Sequence, residues 1–249
     1  MRRLRTLVLF CLLVSVAGLA WRHWTDTTSS EFQRTFTASD GSGKSISYLV
    51  TLPPEYGVDD RRWPLILFLH GAGERGSDLE KVKGHGPLEY VEKHEGLPFL
   101  IVSPQAPPDG GWDAELLAGL LDDVTSQYPV DTDRVYVTGY SMGGGGTWSL
   151  ATAHPERFAG IVPVCGHGNP DEVAKLKNVP VWAFHGAKDE TIPVSQSEKM
   201  VSALRSAGGN ATLTVVYDGG HNIWSEVYGK PRLYHWMLGH SRQKGSSGK

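Results

Sequence analysis

The stretch from Val135 to Gly146 reads VYVTGYSMGGGG and holds one serine, Ser141, with Gly139 two residues before it and Gly143 two after. A G-x-S-x-G run between an apolar stretch and a helical one turns the chain sharply. The serine is then held in a strained conformation with its hydroxyl above a strand end, where it can act as a nucleophile. Taken alone, a glycine-rich loop before a helix could equally cradle a phosphate, although this one lacks the Lys-Ser/Thr ending of a P-loop. A serine nucleophile needs a base, and the base needs an acid. Asp189, in Gly186-Ala187-Lys188-Asp189-Glu190, and His221, in Asp218-Gly219-Gly220-His221, follow it in the order nucleophile, acid, base. Asp189 is the expected acid, Glu190 the second candidate, and His221 the expected base. The run His70-Gly71-Ala72-Gly73 is a loop of small residues, suited to pointing a backbone N–H at a developing oxyanion. The N–H of Met142 is the expected first donor and that of Ala72 the second, with Gly73 the alternative.

These four loops must meet at one place, and the pattern of elements supplies it. Apolar runs at Leu65–Leu69, Phe99–Ser103, Val135–Gly139, Gly160–Val164, Val181–His185 and Thr212–Tyr217 read as strands. Helical stretches at Leu88–Glu95, Glu115–Tyr128, Gly144–His154, Asp171–Leu176, Val194–Ala207 and Ile223–Leu238 separate and follow them. Continuous apolar strands alternating with helices make a parallel sheet covered on both faces. Gln33–Thr37 and Ser45–Leu52, joined across Asp40-Gly41-Ser42-Gly43, read as an antiparallel hairpin at the start. The expected fold is a single-domain, doubly wound α/β sheet, mostly parallel, spanning residues 32–240. The segment from Cys165 to Pro180 is too short for a large helical lid. In an open parallel sheet ligands bind outside the carboxyl ends of the strands, and each of the four loops directly follows a strand candidate.

Composition narrows the setting. The chain has 249 residues, a net charge of −3 and no long basic run, which argues against nucleic acid as a partner. Met1-Arg2-Arg3-Leu4-Arg5 is basic and Thr6 to Ala17 almost wholly apolar, the pattern of a signal peptide over residues 1–20. A secreted or periplasmic protein is expected, with a membrane partner only if that segment stays uncleaved as an anchor. Residues 21–31 read as a spacer and 241–249 as a flexible tail. Of the two cysteines, Cys11 lies in the leader, so Cys165 has no disulfide partner after cleavage and reads as a buried thiol. No metal-ligand spacing is seen, and no cofactor is required. Trp112 and Trp224, in loops beside the candidate site, are candidate substrate walls or simple packing residues. Trp148 and Trp182 read as core, and His185 as a structural residue.

The stretches LPPEY, PLILFLHGAGERG, VSPQAP, DRVYVTGYSMGG, VPVWAFHGAKDETIPV and GGHNIW cover most of residues 45–238. Through them the chain resembles the α/β-hydrolases, and among these the secreted carboxylesterases related to phospholipase/carboxylesterases, feruloyl and acetyl-xylan esterases and polyhydroxybutyrate depolymerases. The resemblance implies hydrolysis of a small or polymeric ester by acyl transfer, with Ser141 as nucleophile, Asp189 as acid, His221 as base and oxyanion donors at Met142 and in the loop after His70. A serine peptidase of the prolyl-oligopeptidase type and a non-catalytic hydrolase-like binding module stay open as alternatives.

Overall fold

The computed structural model describes residues 30–94 and 96–242. The leader at 1–20, nearly all of the spacer and residues 243–249 lie outside the described residues. Eight strands form one sheet: β1 (Glu31–Thr37), β2 (Ser45–Thr51), β3 (Trp63–Leu69), β4 (Leu100–Pro104), β5 (Val130–Tyr140), β6 (Gly160–Val164), β7 (Val181–Gly186) and β8 (Ala211–Val216). Their order is β1-β2-β4-β3-β5-β6-β7-β8. β1 pairs antiparallel with β2, and β2 antiparallel with β4; every later pairing is parallel. The helices are α1 (Pro87–Lys93), α2 (Ala114–Gln127), α3 (Met142–Ala153), α4 (Ser195–Ser206), α5 (Trp224–Tyr228) and α6 (Pro231–Leu238).

The two-faced burial follows from strand periodicity. Along WPLILFL in β3, Leu65, Leu67 and Leu69 join one core cluster, while Ile66 and Phe68 join the other. Successive side chains of a strand point to opposite faces, so an unbroken apolar run demands cover on both. On the first face α2, α3 and α4 bring Leu117, Leu121, Trp148, Leu150, Met200 and Leu204. On the second, α1, α5 and α6 bring Leu88, Val227, Leu233 and Met237. Trp148 and Trp182, the expected core tryptophans, are buried. The sheet is the mostly parallel, doubly wound one expected, with its antiparallel start and, among the described residues, no lid domain.

Several boundaries differ from the sequence reading, each for a local reason. β1 begins at Glu31 and Ser30 accepts from the Leu52 N–H, so the spacer ends one residue early. The single helix expected over Ile223–Leu238 is two, because Pro231 has no N–H to continue the first. Only Val173–Leu176 of the expected helix over Asp171–Leu176 forms, as a short 3₁₀ turn. The tail's first residues are tied down: Arg242 donates to Asp133 and to the Glu156 carbonyl.

Candidate active site

The elbow serine sits where β5 gives way to α3, at φ 55° and ψ −118°. Such a positive φ costs a non-glycine residue on the order of 1–3 kcal/mol, and neighbours over-determine it here. The Ser141 N–H donates to the Val164 carbonyl at 2.9 Å, and its own carbonyl accepts from the Gly145 N–H at 3.0 Å. A side chain at Gly139 would strike the Leu69 and Gly143 carbonyls, and one at Gly143 the Leu69 carbonyl. These two glycines are therefore steric requirements of the turn. The remaining glycines of the run divide. A Cβ at Gly144 would meet the Val164 carbonyl at 2.5 Å, and one at Gly146 the Trp112 ring at 2.6 Å. One at Gly145 would meet nothing closer than His167 Cε1 at 3.4 Å, an ordinary contact.

Three side chains from three loops form one hydrogen-bonded row. His221 Nε2 lies 2.8 Å from Ser141 Oγ, and His221 Nδ1 lies 2.8 Å from Asp189 Oδ2. A carboxylate only accepts, so Nδ1 carries the ring proton. Nε2 is then the acceptor for the serine hydroxyl. The loops carrying Asp189 and His221 are clasped together. Gly186 ends β7 so close to Gly219 and Gly220 that no side chain fits, and the Lys188 N–H donates to the Gly219 carbonyl at 2.9 Å. Burial alone would raise the Asp189 carboxyl. The His221 hydrogen bond and the N–H groups of Ile192 and Thr191, at 2.8 and 2.9 Å, outweigh it and hold the group below the usual carboxylate range. Glu190, the second candidate acid, is exposed to solvent.

The loop after β3 carries the expected second oxyanion donor, and its support was not foreseen. Ala72–Glu74 form a 3₁₀ turn with Ala72 and Gly73 exposed. His70, fully buried, ties the loop down: Nε2 accepts from the Ala106 N–H at 3.0 Å, and Nδ1 donates to the Gly71 carbonyl at 2.5 Å. Burial holds its imidazole below the usual range, in keeping with a neutral ring. Gln105 adds a clamp, donating to the Glu74 and Asp78 carbonyls at 2.7 and 2.8 Å. Arg75 Nε donates to Met142 Sδ at 3.3 Å, joining this loop to the residue after the serine. Met142 opens α3, so its N–H is among those a helix start leaves without an internal partner. The sequence signal for these supports was present in HGAG and SPQA, but nothing in their spacing says that the two loops touch.

The two candidate tryptophans occupy different places. Trp112 donates from Nε1 to the His70 carbonyl at 3.3 Å, sets its ring 4.8 Å from the His70 ring and fills the space above Gly146. Its contacts are those of a buttress for the loop. Trp224 stacks on Tyr140 with centroids 4.5 Å apart and meets His221 edge-on at 5.9 Å, so it flanks the hydrogen-bonded row. Cys165 follows β6, fully buried, at φ 46°. Burial, with the Asp189 carboxylate nearby, pushes its thiol up to about 12. Cys165, Asp189 and His221 offer ligand-type atoms within 4.8 Å of one another, but Asp189 and His221 are committed to each other by hydrogen bonding.

A doubly wound sheet of this order, with a strained serine between its fifth strand and the next helix, is the α/β-hydrolase architecture, and the chain has that fold. Residues 114–226 match the dienelactone hydrolase family. A solved thermostable esterase superposes with a TM-score of 0.74 at 31% identity, over 86% of this chain and 64% of that one. Feruloyl esterase D of Neurospora crassa is 29% identical over 173 residues, 64% of this chain and 58% of that protein. A bifunctional acetylxylan esterase/xylanase of Neocallimastix patriciarum is 26% identical over 149 residues, 57% of this chain and 22% of that protein. The chain thus spans less than two thirds of each of these relatives. Among the described residues no helix is long and apolar enough to cross a membrane.

Proposed function

We propose that this chain is a serine carboxylic-ester hydrolase that works through an acyl-enzyme. The observation that carries the reading is the Ser141–His221–Asp189 row, with 2.8 Å at both links and the serine held at φ 55°. His221 Nε2 takes the Ser141 proton as Oγ bonds to the ester carbonyl carbon. The carbonyl oxygen becomes an oxyanion facing the N–H of Met142 and that of Ala72, or in its place Gly73. The tetrahedral intermediate collapses, the C–O bond to the alcohol breaks, and Nε2 returns the proton to that alcohol. Water repeats the sequence in reverse roles and frees the acid. Asp189 holds the imidazole tautomer and stabilises its charged form. Every proton and electron pair is accounted for without a further group.

The substrate reading is an acetyl, feruloyl or polyester-type carboxylic ester, and the likeness to an acetylxylan esterase and to feruloyl esterases supports the first two. The basic-then-apolar start of the chain supports an exported enzyme meeting such substrates outside the cytoplasm; N-terminal sequencing of the exported protein tests this. For the activity, a fluorophosphonate probe is expected to label the protein, and Ser141→Ala to lose both labelling and hydrolysis of p-nitrophenyl acetate. Hydrolysis at wild-type rate in that variant overturns the assignment. A panel of acetyl, butyryl, feruloyl and polyester substrates, with a peptide anilide beside them, then separates an esterase from a peptidase.

A further inference from the structure

Asp189 meets more donors than a three-residue relay requires. Its Oδ1 is filled by the N–H groups of Thr191 and Ile192. Its Oδ2 accepts from His221, and a second imidazole stands against the same oxygen: His185 Nε2, at the end of β7, is 3.2 Å away. His185 is fully buried, and its partners reveal its protonation. Nε2 lies 2.8 Å from the Ile192 carbonyl, which can only accept, so Nε2 carries a proton. Nδ1 lies 2.7 Å from Ser197 Oγ, a hydroxyl able to donate, buried in the first turn of α4. The Nε2–H therefore donates to the Ile192 carbonyl, and Asp189 Oδ2 stands 3.2 Å from the same nitrogen as a close electrostatic neighbour, outside hydrogen-bond geometry. The last group facing the carboxylate is the Cys165 thiol, from the loop after β6.

Resting on the ester-hydrolase reading above, we propose that His185 is a positioning residue for that reaction: it holds the Ile192 carbonyl of the turn whose N–H groups pin Asp189 Oδ1 and sets its own N–H edge beside Oδ2, and so fixes both the rotation of the carboxylate and the charge it offers to the base. With Oδ1 pinned by two backbone donors, and the carbonyl of one of those residues, Ile192, held by the His185 N–H, the plane of the carboxylate is set by groups other than His221. An N–H dipole beside Oδ2 also offsets part of its negative charge, so the imidazolium formed during reaction is held less tightly. Ser197 keeps Nδ1 an acceptor and thereby keeps the proton on the side that faces Asp189. A line of hydrogen bonds thus runs from Ser197 in α4 through His185 in β7, the Ile192 backbone, Asp189 and His221 to the serine.

The test uses the full chain, p-nitrophenyl acetate, and kcat and KM from pH 5 to 9. His185→Leu keeps the bulk and removes the donor, His185→Gln returns an amide N–H, and Ser197→Ala releases the tautomer. The Leu variant is expected to lose kcat by about tenfold or more, as supporting hydrogen bonds to an active-site group commonly do, with KM little changed. Its acid limb of kcat/KM should move to higher pH, because an undiluted carboxylate holds the base's proton more firmly. His185→Gln should recover most of both effects, and Ser197→Ala should fall between. An unmoved acid limb in a folded Leu variant, or a Gln variant as impaired as the Leu one, overturns the proposal. Should His185→Leu not fold, wild-type kcat and an unmoved limb in Ser197→Ala overturn it instead. An inactive Ser141→Ala with unaffected His185 variants removes this proposal alone, whereas an active Ser141→Ala removes the reading beneath it.

Discussion

Gly145 and Gly146 are neighbours in the same helical turn, yet alanine should act on them with opposite sign. Both have helical backbone, so each glycine weakens α3 by about 1 kcal/mol relative to alanine through backbone freedom in the unfolded chain. At Gly145 the new methyl would lie 3.4 Å from the exposed His167 ring, which can yield. The helix gain should survive, stabilising the protein by about 0.5–1 kcal/mol. At Gly146 the methyl would meet three Trp112 atoms at 2.6, 2.8 and 2.9 Å. That indole is fixed by its hydrogen bond to the His70 carbonyl and by the His70 ring. Overpacking against a fixed ring costs about 1–3 kcal/mol. With two of its three contacts on ring atoms and one on the Cβ, the upper half of that range applies, leaving a net loss of about 1–2 kcal/mol. For a domain of this size 1 kcal/mol moves Tm by about 2–4 °C. Thermal unfolding followed by circular dichroism should therefore place Gly145→Ala about 1–4 °C above wild type and Gly146→Ala about 2–8 °C below it. Gly146→Ala should also lose about tenfold in kcat/KM for p-nitrophenyl acetate, because Trp112 buttresses the loop after β3 and small displacements at a reacting centre are costly. If both variants shift Tm in the same direction, the steric account of the glycine run is wrong.

Asp189 and the thiol beside it can each be tested by substitution. Asp189→Asn should retain the fold and lose kcat on the order of 10³–10⁴-fold, since the amide cannot hold the imidazole tautomer. The Asp189 carboxyl lies below its ordinary value, so its contribution is present above the unfolded value of about 4 and fades as pH falls through the lower folded value; urea unfolding of Asp189→Asn should accordingly depend less on pH below that point than wild type does. The Cys165 thiol, pushed up to about 12, should ignore a thiol reagent at pH 8 in the native protein and react fully once unfolded. Because its folded value is raised, its contribution is present below the ordinary thiol range and fades as pH rises toward 12, and Cys165→Ala should flatten that alkaline loss. Rapid native labelling, or an unchanged alkaline profile, removes the buried-thiol account.

The sequence by itself determined the order of the strands' chemistry and the kind of sheet that carries it. Unbroken apolar runs such as PLILFL can be satisfied only by burial on two faces, and a strand buried on two faces leaves its loops at its ends. G-x-S-x-G names its own geometry, because at 139 and 143 only glycine clears the Leu69 carbonyl. Asp189 and His221 were legible as candidates through their places after β7 and β8. Local rules also explain the misses: a proline split one expected helix, and a short polar segment settled for a 3₁₀ turn. The neighbours' identity was not legible, because it depends on distances across the sheet. That Gly146 makes room for Trp112, that His70 hangs its loop from Ala106, and that His185 and Ser197 stand behind Asp189 are facts about residues far apart in the chain. Sequence spacing sets which residues can reach a strand end. Only the packed structure, by fixing the register of neighbouring strands and the depth of each loop, decides which side chains share a hydrogen bond there.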